Sequence, residues 1–98
     1  MREKIVEQYL RRRARELGGK AYKLVSPGND GMPDRLVVMP GGRVAFVETK
    51  RPGETSRPMQ MHRQQELREL GCEVFADIAD QGSVEALLAW MQRGGREA

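Results

Sequence analysis

Two strand-like runs flank one tight turn, and they constrain the fold more than any other feature of the chain. Residues 35–39 (RLVVM) and 43–50 (RVAFVETK) lie either side of Pro40-Gly41-Gly42, the pattern of a β-hairpin. A three-residue loop centred on Gly41 sets Asp34 directly across from Glu48, with Cβ atoms about 4.5–5.5 Å apart. A glycine bulge in the turn would slip that register by one. Side chains alternate along a strand, so Glu48 and Lys50 share a face, their Cα atoms roughly 6.5 Å apart.

Two carboxylates that close repel each other unless a proton or a cation lies between them. A hard divalent cation binds through one or two carboxylates and keeps several waters. Lys50, on the same face, then points to where a phosphate would replace one of them. One metal ion, one ammonium and one water are the parts of a phosphodiester-hydrolysis site. An E-x-K triplet alone reads more readily as an incidental feature of a solvated hairpin. Three features favour a site. Leu36, Val44 and Phe46 share the face of Glu48, which makes that face partly apolar. Asp34 follows Pro33 at the end of a glycine-rich loop, where a strand-end carboxylate can open on a cleft. Arg35 follows it at once.

The remaining elements follow from periodicity and breakers. Residues 2–17 read as a helix, with Ile5, Val6, Tyr9, Leu10, Arg13, Ala14 and Leu17 at helical spacing and Gly18-Gly19 as the stop. Residues 21–25 read as a short strand and 26–33 as a loop dense in Pro and Gly. Residues 51–57 form a polar loop, 58–70 a helix closed by Gly71, and 73–78 a strand with Val74, Ala76 and Ile78 on one face. Ser83 caps a last helix carrying Val84, Leu87, Leu88 and Met91, ended by Gly94-Gly95. The order αβββαβα predicts an α/β fold, a small mixed sheet flanked by helices. Residues 1–98 carry no internal repeat or linker and are expected to form one domain.

Composition excludes several classes. No run of about 18 apolar residues is present, so no membrane span is expected. The first 19 residues are too charged for a secretory signal. The single cysteine, Cys72, cannot form an internal disulfide or a cysteine-based zinc site, which points to a reducing cytoplasm. The net charge of +3 is unevenly spread: residues 1–23 carry +5, residues 24–50 balance, and residues 51–98 carry −2. The first helix is therefore a candidate phosphate-facing surface. Charge alone favours the plainer reading, a solvated helix face.

Taken together, Gly31-Met-Pro-Asp34-Arg35, thirteen intervening positions after Asp34, then Glu48-Thr-Lys50 resemble the PD-(D/E)xK nuclease pattern, and more narrowly its VRR-NUC branch. The surroundings agree: residues 21–28 (AYKLVSPG), Pro40-Gly-Gly42, Phe46-Val-Glu-Thr-Lys50, and Pro58-Met-Gln60 opening the next helix. The likeness runs from Glu3 to about Ile78, and a small stand-alone chain like this one resembles phage and bacterial members. It implies a restriction-endonuclease-like core and metal-dependent cleavage of DNA. By position, it makes Asp34 and Glu48 the metal carboxylates, the Thr49 carbonyl a backbone metal ligand, and Lys50 the catalytic lysine. It also implies a supporting glutamate on the first helix, for which Glu3 and Glu7 both qualify, and a glutamine, Gln60, reaching the site. Thr49 stands where the family often has an apolar residue, and only its carbonyl is expected to matter to the metal.

The resemblance thus implies a Mg²⁺- or Mn²⁺-dependent endonuclease acting on branched DNA, as a dimeric Holliday junction resolvase. A flap or nicking nuclease and a non-catalytic nucleic-acid-binding module are the alternatives. A sequence-reading restriction enzyme would need more loops than 98 residues offer. Lys23, Ser26, Asn29 and Arg35 flank the site and are candidate contacts to DNA phosphates. The expected setting is the cytoplasm of a bacterium or a phage-infected host cell. His62 reads as solvated, Tyr9 and Trp90 as core or interface residues, and Met59, Met61 and Met91 as gap fillers or part of an association surface.

Overall fold

The computed structural model describes residues 2–94. Its elements are α1 (Glu3–Glu16), β1 (Lys20–Lys23), β2 (Arg35–Met39), β3 (Arg43–Thr49), α2 (Pro58–Glu69), β4 (Val74–Ile78) and α3 (Gln81–Gln92). The strands form one sheet in the order β1-β2-β3-β4. β1–β2 and β2–β3 are antiparallel and β3–β4 is parallel, because α2 provides the crossover that a parallel pair requires. No helix among the described residues is long and apolar enough to cross a membrane.

The hairpin register runs from Arg35 against Val47 to Met39 against Arg43. Gly41 and Gly42 make the turn, with φ of 91° and 76° that a residue bearing a Cβ rarely adopts. Strand alternation then divides the sheet into two faces. Val37, Met39, Ala45 and Val47 are buried against Val6, Leu10 and Ala14 of α1 and Val84, Leu87, Leu88 and Met91 of α3. Leu36, Val38, Val44, Phe46 and Glu48 project to the opposite side, where α2 meets Glu48 through Gln60.

Glu85 ties the two core helices together. It accepts from the Tyr9 hydroxyl at 2.6 Å and from Arg13 Nε at 2.8 Å, and these donors hold its carboxyl down to about 2. Trp90 packs edge-on against Phe75 with ring centres 5.4 Å apart. Arg43 donates to the Met91 and Gln92 carbonyls at 3.1 and 2.8 Å, satisfying acceptors that the end of α3 leaves open.

Several details differ from the sequence reading. Asp80, not Ser83, caps α3: its Oδ1 accepts from the Ser83 N–H at 2.7 Å, and Ser83 Oγ accepts in return from the Asp80 N–H at 3.2 Å. Both residue types cap well, and the helix simply starts earlier than the apolar pattern suggests. The expected single face for Val74, Ala76 and Ile78 is broken by Asp77, which takes a left-handed φ of 57° beside a register shift between β3 and β4. Ile5 sits at the margin of the apolar stripe and is 45% exposed. Met91 is core, whereas Met59 and Met61 are exposed. Gly95 of the expected helix stop lies outside the described residues.

Candidate active site

The end of the hairpin farthest from its turn meets the first turns of α1 and α2. Asp34 precedes β2, Glu48 and Thr49 end β3, Lys50 follows it, and Gln60 occupies the first turn of α2. Asp34, Glu48, Lys50, Gln60 and Glu3 line a cleft of about 420 Å³. Arg57, which sequence reading missed, lines it too. Its signal is local: it stands just before the Pro58-Met-Gln60 helix start, whose Gln60 reaches the cleft.

Gln60 organises the cleft. Its Oε1 accepts from Lys50 Nζ at 2.7 Å and from the Arg57 N–H at 2.9 Å, while its Nε2 donates to Glu48 Oε1 at 2.7 Å. This amide orientation is the one that works, since an ammonium needs an acceptor and a carboxylate needs a donor. Glu48, Lys50 and Gln60 are all buried, so each of these bonds acts in a medium that punishes its loss.

Asp34 is anchored to β3. Its Oδ1 accepts from the Thr49 N–H at 2.8 Å and its Oδ2 from the Thr49 hydroxyl at 2.6 Å. The Thr49 side chain has a use besides the expected one of its carbonyl: fully buried, it holds the Asp34 carboxylate. No local pattern signals this, because the contact spans fifteen positions across the hairpin.

The electrostatics match the geometry. Burial pushes Glu48 up to about 8, and the Asp34 carboxyl beside it adds to the shift, which Lys50 opposes. Burial and Asp34 likewise raise Glu7, while Arg35 pulls it back. Both glutamates of α1 thus come near the site in different roles. Glu3 lines the cleft. Glu7 stands beside Asp34 and is bound by Arg35, with Nη2 3.1 Å from its Oε1.

The donor set fits a hard cation. Among the described residues no group of three or more His, Cys, Asp or Glu gathers as a metal cluster. What the cleft offers instead is two carboxylates that oppose each other, one of them destabilised as an anion, at the end of a strand. Few protein ligands with room for water is the arrangement Mg²⁺ and Mn²⁺ take.

The four residues expected to flank the site divide. Lys23 is exposed, with no acidic partner among the described residues. Ser26 and Asn29 bond each other at 3.0 Å and shape the loop before β2. Arg35 is buried, and its guanidinium bonds Glu7. His62 is exposed on α2, away from the cleft lining.

No family model matches the chain. A protein of Acyrthosiphon pisum secondary endosymbiont phage 1, "Putative nuclease p44", is 45% identical over 85 residues, covering 86% of this chain and 91% of that protein. A solved structure described as "VRR_NUC domain" superposes with a TM-score of 0.81 at 33% identity, covering 89% of this chain and 94% of the other.

Proposed function

The chain belongs to the VRR-NUC family of nucleases, and from that premise we propose that it is a Mg²⁺- or Mn²⁺-dependent endonuclease that cuts branched DNA as a dimer, resolving four-way junctions. One observation carries the reading: two opposed carboxylates, Asp34 and Glu48, share a cleft with the Lys50 ammonium, and Gln60 bonds both Glu48 and Lys50.

A divalent cation held by Asp34, Glu48 and the Thr49 carbonyl would acidify water and offset charge growing on the phosphate. The other steps belong to the chain. Thr49 fixes the plane of Asp34 through its N–H and hydroxyl. Gln60 spends its oxygen on Lys50, so the ammonium is held at the cleft with protons left for a non-bridging phosphate oxygen or the attacking water. Glu3, which lines the same cleft, would take the proton that the water loses. The water oxygen would join phosphorus as one P–O ester bond breaks, and the leaving oxygen would take a proton from solvent water, giving a hydroxyl end and a phosphate end.

Specificity is read from DNA shape, since no base-reading module is visible among the described elements. A two-fold dimer sets two clefts on two strands, which suits a four-way junction. The sheet face opposite α1 and α3 supports this, because Leu36, Val38 and Val44 lie there only partly covered and Val44 is 45% exposed. The setting that follows is a cytoplasm containing recombining DNA.

Cleavage of labelled four-way junction, 5′ flap and linear duplex with Mg²⁺ or Mn²⁺ tests the reading, with Asp34→Ala alongside and sedimentation to give the oligomeric state. Paired symmetric nicks on the junction, lost in the variant, from a dimer are the expected result. Preferred cutting of the flap by a monomer would discard the junction role and keep the site. DNA binding without cleavage on all three would leave a binding module.

A further inference from the structure

A second concavity lies away from the cleft. α1 and the edge strand β1 enclose a trough of about 920 Å³, lined by Arg11, Arg12, Arg15, Lys20, Lys23 and Arg35 and by no acidic side chain. Two of these cations are engaged, Arg12 with Glu16 at 3.6 Å and Arg35 with Glu7 at 3.1 Å. Arg11, Arg15, Lys20 and Lys23 have no acidic partner among the described residues. Elsewhere Arg13, Arg51 and Arg63 each pair with a glutamate. A solvated helix face would intersperse its charges. This wall instead gathers like charges around one groove, at a cost in self-repulsion that a polyanion removes.

The trough and the cleft share α1. Glu3 lines the cleft, and Arg11 and Arg15 follow it by eight and twelve positions, about 12 and 18 Å along the helix axis. The major groove of B-DNA is roughly 12 Å wide. The two lengths are alike, so the spacing is compatible with one duplex reaching both the cleft and the trough.

We propose that the α1–β1 trough is a second seat for the DNA backbone, binding phosphates about a groove's width from the scissile one and setting the length of duplex the protein needs. This rests on the nuclease reading of the cleft. The trough neither reads bases nor takes part in bond breaking.

Arg11→Ala/Arg15→Ala/Lys20→Ala tests it, with Arg11→Lys/Arg15→Lys as a variant that keeps the charge. Binding to a 20-base-pair duplex is measured by fluorescence anisotropy at several salt concentrations. Cleavage is measured on a junction with long arms and on bis(p-nitrophenyl) phosphate, which is too small to reach the trough. The alanine variant is expected to bind the duplex roughly 10- to 100-fold more weakly, with the slope of log K against log salt reduced by about 2–3. Its KM on the junction should rise with kcat held, and its rate on the small ester should equal that of wild type. The lysine variant should bind like wild type. Unchanged duplex affinity and salt slope, in a protein that still cuts the junction, would overturn the trough and spare the nuclease. A wild-type protein that neither binds nor cuts DNA would overturn both.

Discussion

Asp34 grips Thr49 at two points, through the backbone N–H at 2.8 Å and the hydroxyl at 2.6 Å. With both oxygens engaged, the carboxylate has one plane, and that plane is set by β3 and not by the glycine-rich loop that precedes Asp34. Thr49→Val keeps the volume and removes one of the two donors. Bonds to charged groups contribute about 1.5–3 kcal/mol. The variant should unfold about 1–2 kcal/mol more easily. Its cation affinity and cleavage should fall roughly 10-fold, the usual effect of losing a partner behind a metal ligand. Thr49→Ser should retain most of both. Thermal melts and cleavage rates of the pair check this, and a Val variant as active as Ser would remove Thr49 from the site.

Gln60 presents the larger penalty. Gln60→Leu strands a buried ammonium, a buried carboxylate and the Arg57 N–H at once. Each unsatisfied buried group costs about 1–3 kcal/mol, so a loss of roughly 3 kcal/mol or more in denaturant unfolding is expected, with cleavage reduced at least 10-fold.

Burial gives Glu48 a pH signature. Its carboxyl titrates at about 8 in the fold against 4.5 ordinarily. Between roughly those values the metal-free folded state holds a proton that the unfolded state has lost. The stabilisation is complete below pH 4.5, decays as pH rises, and is gone above about 8. Glu7 is raised as well and acts in the same direction. Denaturant melts in chelator at pH 5, 6.5 and 8, for wild type and Glu48→Gln, isolate the contribution. The wild-type loss over this range should exceed the variant's. On the proposed function Mg²⁺ would displace the proton, so it should stabilise wild type more at pH 8 than at pH 5.

Gly31 and Gly28 sit in one loop and should behave differently. Both have left-handed φ, 83° and 81°. A Cβ on Gly28 meets nothing within 4 Å, whereas one on Gly31 would lie 2.6 Å from the Met59 carbonyl oxygen. Gly28→Ala should cost about 1–2 kcal/mol for the backbone alone. Gly31→Ala must also push the start of α2, and Gln60 with it, so it should cost at least about 1 kcal/mol more and reduce cleavage. Equal melts for the two variants would show that the loop yields freely.

Much of this architecture was legible because it is written in local pattern. Alternation around Pro40-Gly41-Gly42 defines the hairpin and its register, and that register brings Asp34 to the level of Glu48. What was not legible depends on contacts distant in sequence. The Thr49 hydroxyl has a use only because Asp34 lies across the hairpin. The arginines of α1 look like a solvated face until β1 supplies the second wall of the trough. Arg35 looks like a free cation until the fold lays α1 over it and turns it to Glu7. Asp77 breaks its strand's alternation while accepting a hydrogen bond from Ser56 at 2.7 Å, a tie between the polar loop and β4 that no periodicity encodes.

The Glu7–Arg35 pair sits behind Asp34, with side chains 25% and 11% exposed, and its energetics should be those of a buried pair. Arg35→Met leaves Glu7 facing Asp34 without a counter-charge, which pushes Glu7 further up and invites a proton. Glu7→Gln leaves the guanidinium short of its anion. Each single change should cost about 2–3 kcal/mol. The double variant should cost less than the sum by about 1–3 kcal/mol, because it removes the attraction and the uncompensated charge together. Denaturant unfolding of the four proteins gives the coupling directly. Near-additivity would mean that water already screens the pair.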